Sequence, residues 1–592
     1  MKKLLTGNEA VSLGAYEAGI SYASAYPGTP STEILENIGE YKQEIIAEWA
    51  PNEKVALESA IGASIAGARA LAAMKHVGVN VAADPLFTFG YTGVNGGIVL
   101  ITADDPGMHS SQNEQDNRYY AKFAKIPMLE PSNSQEAKDM VKAAMEISEN
   151  YDALVLMRMT TRVCHSKTLV QSGQREEVGK KPYIKNLQKY DAVPSVARKL
   201  HVALEEKLLK LEAFSNQTEL NYIEWNDKRI GIVSSGIAYQ YAKEVFDKQA
   251  SYLKLGFTYP LPIDKIREFA KQVDILYVIE ELEPFIEEQM KAAGISCIGK
   301  EKIPRVGELN PSILKKVLLD EADVVIEYDK SPVAERPPVL CAGCPHRGFF
   351  YELVKQKNIM ITGDIGCYGL GGMEPLYAKD TCICMGASIS MGHGAQKVFN
   401  RFNENTRAVA VIGDSTFFHT GMNSLLDAVY NRSNLVTCIL DNRITGMTGH
   451  QENPGTGFTL QGMPTKVVEI EPIVRALGVD KVKTINPLVL QEVKEALDWA
   501  MECDEPSVII TRWPCVLKKH SQQDKEEFGE YMGLCRVDPE KCIGCKVCIK
   551  TGCPALQFNK TMKKVTIDEV QCVGCKVCLQ VCPVKAIEKV VE

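Results

Sequence analysis

The sequence predicts an α/β protein: doubly wound parallel sheets through most of the chain, closed by a small cysteine-rich α+β domain. Three observations carry the prediction. Short apolar runs of strand length alternate with stretches of helical period, the pattern of buried parallel strands with crossover helices. Residues 407–449 form the clearest such unit, with AVAVIGD (408–414) and NLVTCILDN (434–442) as strands about a helix at 420–430. Finally, eight of the 19 cysteines fall between residues 542 and 582.

Composition bounds the rest. A chain of 592 residues is too long for one core, and its length suggests about three to five domains. It is 45% hydrophobic and 24% charged, as ordinary α/β proteins are. A net charge of −8 argues against nucleic acid as the main partner. No run of about 18 apolar residues is present, and the start MKKLLTGNEA turns polar too soon for a signal peptide, so no membrane partner and a cytoplasmic location are expected. In that compartment disulfides are rare, so the cysteines are expected to bind something.

In order, residues 1–165 alternate helix and strand. The turn Tyr26-Pro-Gly-Thr-Pro-Ser31 punctuates strand and helix, and its Ser and Thr groups are placed to cap the helix starting near Ser31. Residues 48–74 carry Glu58 at the head of an Ala- and Gly-rich helix suited to close packing, where a first-turn acid complements the helix dipole. The polar run Met108–Asp116 reads equally as a solvated loop or a cleft lining. Residues 166–228 read as a charged helical connector, and 229–330 as a new α/β unit in which Glu280, Glu281 and Glu283 make a solvated strand end.

A Pro-rich break at 331–340 opens the next domain, 331–520. It begins with Cys341, Cys344 and His346, continues through Cys367, and its glycines at 386–394 suit close backbone approach to a diphosphate. Within it, the two strands of the 407–449 unit end on Gly413-Asp414 and on Asp441-Asn442, which puts a carboxylate and an amide oxygen at one carboxyl edge, where open α/β sheets bind ligands. Hard oxygen donors suit Mg²⁺ shared with a diphosphate. An ordinary βαβ unit ending in Gly-Asp is the plainer alternative.

The last domain, 521–592, has Cys542, Cys545 and Cys548 spaced CX2CX2C before Cys553-Pro554, and Cys572, Cys575 and Cys578 repeating the spacing before Cys582-Pro583. Two such runs are the two-cluster ferredoxin pattern, in which the last cysteine of each run ligates the other cluster. One 4Fe-4S cluster would take Cys542, Cys545, Cys548 and Cys582, the other Cys572, Cys575, Cys578 and Cys553. Zinc sites lack a reason for the paired Cys-Pro ends.

Gly413-Asp414-Ser415, followed about 25 residues later by Asp441-Asn442, resembles the thiamine diphosphate motif, with Ser415 and Asp441 as departures that remove no metal ligand. With the Glu58 helix, the Tyr26–Ser31 turn, CAGCPHR and the ferredoxin runs, the whole chain resembles the 2-oxoacid:ferredoxin oxidoreductases, most closely their indolepyruvate α subunits. The resemblance implies two thiamine-diphosphate-binding domains, 1–165 for the pyrimidine and 331–520 for the diphosphate, with a transketolase C-terminal-like domain at 229–330 and the ferredoxin domain last. It implies that Asp414, Asn442 and the Ile444 carbonyl hold Mg²⁺, that Gly413 and Ser415 border the cofactor, that Glu58 hydrogen-bonds the aminopyrimidine ring, and that Thr29 meets the keto acid. The implied reaction is decarboxylation of an aryl pyruvate to aryl acetyl-CoA, with coenzyme A as co-substrate and external ferredoxin as acceptor. A β subunit would supply a missing domain in an α₂β₂ assembly, and Cys341, Cys344, Cys367 and Cys515 would hold a third cluster. Pyruvate or 2-oxoglutarate as substrate, or an electron-transfer subunit with an idle thiamine site, are the alternatives.

Overall fold

The computed structural model describes residues 1–323, 327–329, 333, 337–529 and 533–590. Of the Pro-rich break at 331–340, residues 331, 332 and 334–336 lie outside the described residues. The chain divides into two compact units, Met1–Tyr328 and Asp329–Glu592. No helix among the described residues is long and apolar enough to cross a membrane.

In the first unit the apolar runs become a seven-stranded sheet, ordered Phe257–Tyr259, Met128–Leu129, Val155–Thr160, Ile98–Asp104, Ala70–Lys75, Tyr22–Ala25 and Ile46–Trp49. Neighbours are parallel except Phe257–Tyr259, which runs antiparallel to Met128–Leu129. Ile98–Asp104 is buried at every position, which is why it reads as a continuous apolar run. A second sheet is ordered Ile275–Ile279, Ile230–Ser235, Ser251–Leu255 and Asn221–Glu224, with only the last strand antiparallel. Leu57, Leu100 and Leu156 share one core with Val233, Leu253 and Phe285, so the two sheets fold together.

The stretch read as a connector contributes to both ends of this unit. Lys167–Gln171 pairs antiparallel with Lys2–Thr6, Asn221–Glu224 edges the second sheet, and Pro194–Gln217 is a 24-residue helix between them. Of the acidic run, Glu283 is exposed as expected, whereas Glu280 and Glu281 differ from the solvated state. Glu280 is buried, accepting from Arg118 Nη1 at 2.6 Å and from the Ile286 N–H at 3.0 Å, while buried Glu281 accepts the Leu309 N–H at 3.1 Å. Arg118 also holds Asp116 at 2.6 Å, so fully desolvated charges tie the two sheets, and removing one partner would strand the other. The turn before Thr32–Ile38 differs too: the Ser31 hydroxyl donates to the Gly28 carbonyl at 2.9 Å and caps nothing.

The second unit holds a five-stranded parallel sheet ordered Ile359–Thr362, Arg407–Gly413, Val436–Asp441, Ser507–Arg512 and Lys481–Ile485. The pleat of Arg407–Gly413 divides its side chains between two cores. Val409 and Val411 pack with Phe349, Phe350 and Leu497; Ala410 and Ile412 pack with Ile389, Leu425 and Val474. The tail forms two antiparallel pairs, Leu534–Val537 with Ile587–Val590 and Leu556–Asn559 with Lys564–Ile567. It is anchored to the sheet domain by Arg347, whose Nη1 donates to the Thr551 carbonyl at 2.9 Å, and by Gln580, which bonds the Leu488 carbonyl at 2.7 Å and the Leu490 N–H at 3.0 Å.

Candidate functional site

Arg407–Gly413 and Val436–Asp441 are parallel neighbours, with Gly413 opposite Leu440, so the residues just past each strand meet at one carboxyl edge. Gly413 is required there, since a Cβ would lie 2.5 Å from the Tyr368 ring. Asp414 opens a helical turn, Asp414–Thr416, that runs through a π turn, Phe417–Gly421, into Met422–Tyr430. Such turns recur at functional sites.

Asp414, Asn442 and Ile444 are all buried, and the Asn442 amide shows what they are suited to. Turned one way, its nitrogen donates to Asp414 Oδ1 at 3.2 Å and to the Ile444 carbonyl at 2.7 Å. Turned the other way, the nitrogen approaches His346 Nε2 at 3.5 Å and the amide oxygen, which accepts the Ile444 N–H at 3.3 Å, joins Asp414 Oδ1 and the Ile444 carbonyl in a group of three oxygens. Three converging oxygens of this kind fit a divalent cation. Burial, then the nearby Asp441 carboxylate, pushes Asp414 up to about 7. A cation favours the charged form and opposes that rise.

Both departures from the motif are accommodated. Ser415 accepts the Thr445 hydroxyl at 3.0 Å, and the Asp441 carboxylate accepts from Arg512 Nε and the Arg443 N–H, each at 3.1 Å. Among the glycines at 386–394, Gly386 has φ +83° and a Cβ there would fall 1.7 Å from Thr420 Oγ1, whereas one at Gly394 would meet nothing within 4 Å. Close approach is therefore enforced at Gly386, at the head of Ala387–Arg401, and again at Gly392, where a Cβ would lie 2.8 Å from Thr362 Oγ1, but not at Gly394. Sequence reasoning missed Asp364, which takes the Gly386 N–H at 2.8 Å and the Ser388 N–H at 3.0 Å and so holds that helix head. Its signal was a further Gly-Asp, just past the strand Ile359–Thr362.

Beside this edge the structure gathers Cys341, Cys344, Cys367 and Cys515. Burial pushes Cys344 up to about 12 and Cys367 up to about 11, and in both cases the Cys515 and Cys341 thiols add to the rise. The four thiols are therefore electrostatic neighbours. The Cys515 N–H donates to the Asn442 carbonyl at 2.9 Å, tying the group to the oxygen site. His346, whose pKa burial pushes down to about 4, is neutral and faces Asn442.

In the tail, one enclosed cavity of about 20 Å³ is lined by Cys542, Cys545, Cys548 and Cys582, and a second of about 20 Å³ by Cys553, Cys572, Cys575 and Cys578. Each set combines one run's triplet with the other run's Cys-Pro cysteine. The second cavity is also lined by Ala342 and Gly343, from the loop that carries Cys341 and Cys344.

In the first unit, the helix Glu53–Ile65 is capped by Asn52 Oδ1, which accepts the Val55 N–H at 2.9 Å. The first-turn acid is Glu53; Glu58 stands a turn further on, its side chain 45% exposed and paired with Lys54. Gly62, one turn beyond, has open space where a Cβ would point, so this face is not packed within the unit. Thr29 lies in the turn beyond Tyr22–Ala25, its carbonyl accepting the Ser110 hydroxyl at 3.4 Å. Of the run 108–116, exposed Ser110 and half-buried Ser111 are tied to the end of Ile98–Asp104: the Ser110 N–H and Ser111 hydroxyl bond Asp105 at 2.8 and 2.6 Å. The residue not anticipated is Lys75, at the carboxyl end of Ala70–Lys75 against Gly28. It is 9% exposed, and among the described residues its ammonium has one hydrogen bond, to the Ser110 carbonyl at 2.7 Å, and no ion pair.

Three family models match the chain: the thiamine diphosphate-binding domain of pyruvate flavodoxin/ferredoxin oxidoreductases over residues 13–213, the C-terminal TPP-binding domain of thiamine pyrophosphate enzymes over 364–511, and a 4Fe-4S dicluster domain over 541–586. Indolepyruvate oxidoreductase subunit IorA of Pyrococcus horikoshii is 41% identical, with 100% of this chain and 97% of that protein covered. The same subunit of Archaeoglobus fulgidus is 42% identical, with 99% and 97% covered. Ketoisovalerate oxidoreductase subunit VorB of Methanothermobacter marburgensis is 25% identical over 52% of this chain and 93% of its own length. The dicluster match and the cavity linings favour clusters over zinc in the tail. The chain belongs to the indolepyruvate oxidoreductase subunit IorA family of the 2-oxoacid:ferredoxin oxidoreductases.

Proposed function

We propose that this chain is the thiamine- and cluster-bearing subunit of an enzyme that oxidatively decarboxylates aryl pyruvates, with indolepyruvate as the type substrate, to aryl acetyl-CoA and CO₂. The observation that carries it is the juxtaposition within one unit of three converging oxygens at the sheet edge and the Cys341, Cys344, Cys367 and Cys515 thiols, bridged by the Cys515–Asn442 hydrogen bond. A site for diphosphate-bound Mg²⁺ beside a one-electron acceptor is what 2-oxoacid oxidation requires.

Thiamine diphosphate, when bound, supplies the carbon nucleophile for the keto carbon. Asp414, Asn442 and the Ile444 carbonyl hold Mg²⁺ against its diphosphate, with Gly413 and Ser415 bordering it. Glu58, on its open helix face, hydrogen-bonds the aminopyrimidine ring. Thr29 binds the keto acid, and the buried Lys75 ammonium pairs with its carboxylate. Cys341, Cys344, Cys367 and Cys515 would hold a first cluster, and the two tail sets would hold clusters that supply one-electron transfer towards external ferredoxin. The loop shared by Cys341, Cys344 and the second tail cavity supports that order. The named relatives are subunits, which supports a β partner, here taken as completing an α₂β₂ assembly.

Turnover of the purified assembly with indolepyruvate, phenylpyruvate, pyruvate and 2-oxoglutarate, each with coenzyme A and ferredoxin, tests the reading. Preference for the aryl acids is expected; preference for pyruvate or 2-oxoglutarate would replace the substrate assignment, and purified protein without thiamine diphosphate would favour a bare electron-transfer subunit.

A further inference from the structure

The tail carries a ninth cysteine. Cys535, in Leu534–Val537, belongs to neither CX2CX2C run, yet it is buried and lines the second cavity with Cys553, Cys572, Cys575 and Cys578. Its backbone N–H donates to Cys572 Sγ at 3.4 Å, and its side chain shares the wall with Cys572 and Cys578. The first cavity has no fifth thiol, although the Ala586 N–H there donates to Cys582 Sγ at 3.2 Å. Two residues along the same strand, Val537 faces it, and the rest of its non-cysteine lining is apolar except for Lys546.

Four thiolates complete a four-iron cluster, so a fifth thiol in the same wall is available for another role. Hydrogen bonds to cluster sulfurs disperse the charge added on reduction, and they are among the features that set a cluster's potential. A thiol is a weak donor, but here it stands beside an N–H of the same residue that reaches ligand sulfur. Arg347, buried in the same wall, adds positive charge beside it.

We propose that Cys535 is a positioning residue for the second tail cluster: its thiol donates to ligand sulfur there and raises that cluster's reduction potential. It does not itself ligate iron. The inference rests on assigning the second cluster to Cys553, Cys572, Cys575 and Cys578.

The test is an EPR-monitored redox titration, with iron analysis, of the anaerobically purified assembly carrying Cys535→Ala, Cys535→Ser or Cys572→Ala. Cys535→Ala is expected to keep wild-type iron and shift one tail cluster to lower potential while the other stays in place. Cys535→Ser, which keeps a donor of similar size, is expected to recover most of the shift. Unchanged potentials in Cys535→Ala, no recovery in Cys535→Ser, or iron loss in Cys535→Ala matching that of Cys572→Ala would each overturn the role. Wild-type iron in Cys572→Ala would instead remove the cluster assignment beneath it.

Discussion

Lys75→Met should make the substrate-free protein more stable and its hold on 2-oxoacids weaker. Burial, opposed by Asp105, pulls Lys75 from 10.5 down to about 8. The folded value lies below the unfolded one, so the unfolded chain binds this proton more tightly and the charged lysine destabilises the fold. That penalty is fully present below about pH 8 and fades as pH rises towards 10.5. At about 1.4 kcal/mol per pH unit the gap amounts to about 3 kcal/mol, several degrees in thermal midpoint. Thermal melts of wild type and Lys75→Met at pH 7 and at pH 10 should show the variant ahead at pH 7 and level at pH 10. A 2-oxoacid carboxylate supplies the missing counter-charge, so the same substitution should lower kcat/KM by at least about a hundredfold, as stranding one member of a buried ion pair does. A variant less stable at pH 7, or one with undiminished kcat/KM, would refute the reasoning.

Asp414→Ala should leave the clusters in place and abolish Mg²⁺-dependent thiamine diphosphate binding, measured by calorimetry; unchanged affinity would remove the metal role. Arg347→Met takes charge-assisted donors from the Leu340, Cys341 and Thr551 carbonyls and should destabilise the second unit by about 3–5 kcal/mol in urea titration, with release of the tail to protease; a change below about 1 kcal/mol would contradict its anchoring role. Fully loaded chains should contain about twelve iron atoms, at four per cluster, and Cys515→Ala about eight. About eight in wild type, unchanged by the substitution, would leave the four thiols beside Asn442 as packing residues.

The parts legible in the sequence were those whose signal is local. Gly413-Asp414 and Asn442 stand at the ends of two apolar runs, and parallel pairing alone brings them to one edge. The crossed cysteine sets follow from spacing, and the two cavities are lined accordingly. What was hidden depends on distant partners. Glu280 resembles a solvated acid until Arg118, 162 residues earlier, is placed against it. Phe257–Tyr259 joins the far sheet antiparallel because its partner Met128–Leu129 is a two-residue strand too short to register as an apolar run. Lys75 follows an Ala-rich strand like many surface lysines, and only the packing of Gly28 and the 110–111 loop over it makes it a buried cation.

The central claim is that one chain couples thiamine chemistry to iron-sulfur electron transfer. The most direct measurement is an anaerobic stopped-flow and freeze-quench EPR experiment, in which the assembly is mixed with indolepyruvate and coenzyme A in the absence of ferredoxin. The account predicts substrate-dependent cluster reduction with CO₂ release in the wild type. In Glu58→Gln both should be lost while thiamine diphosphate stays bound and the clusters remain reducible by dithionite. Clusters that stay oxidised in wild type under every 2-oxoacid, or that are reduced as fast in Glu58→Gln, would contradict it.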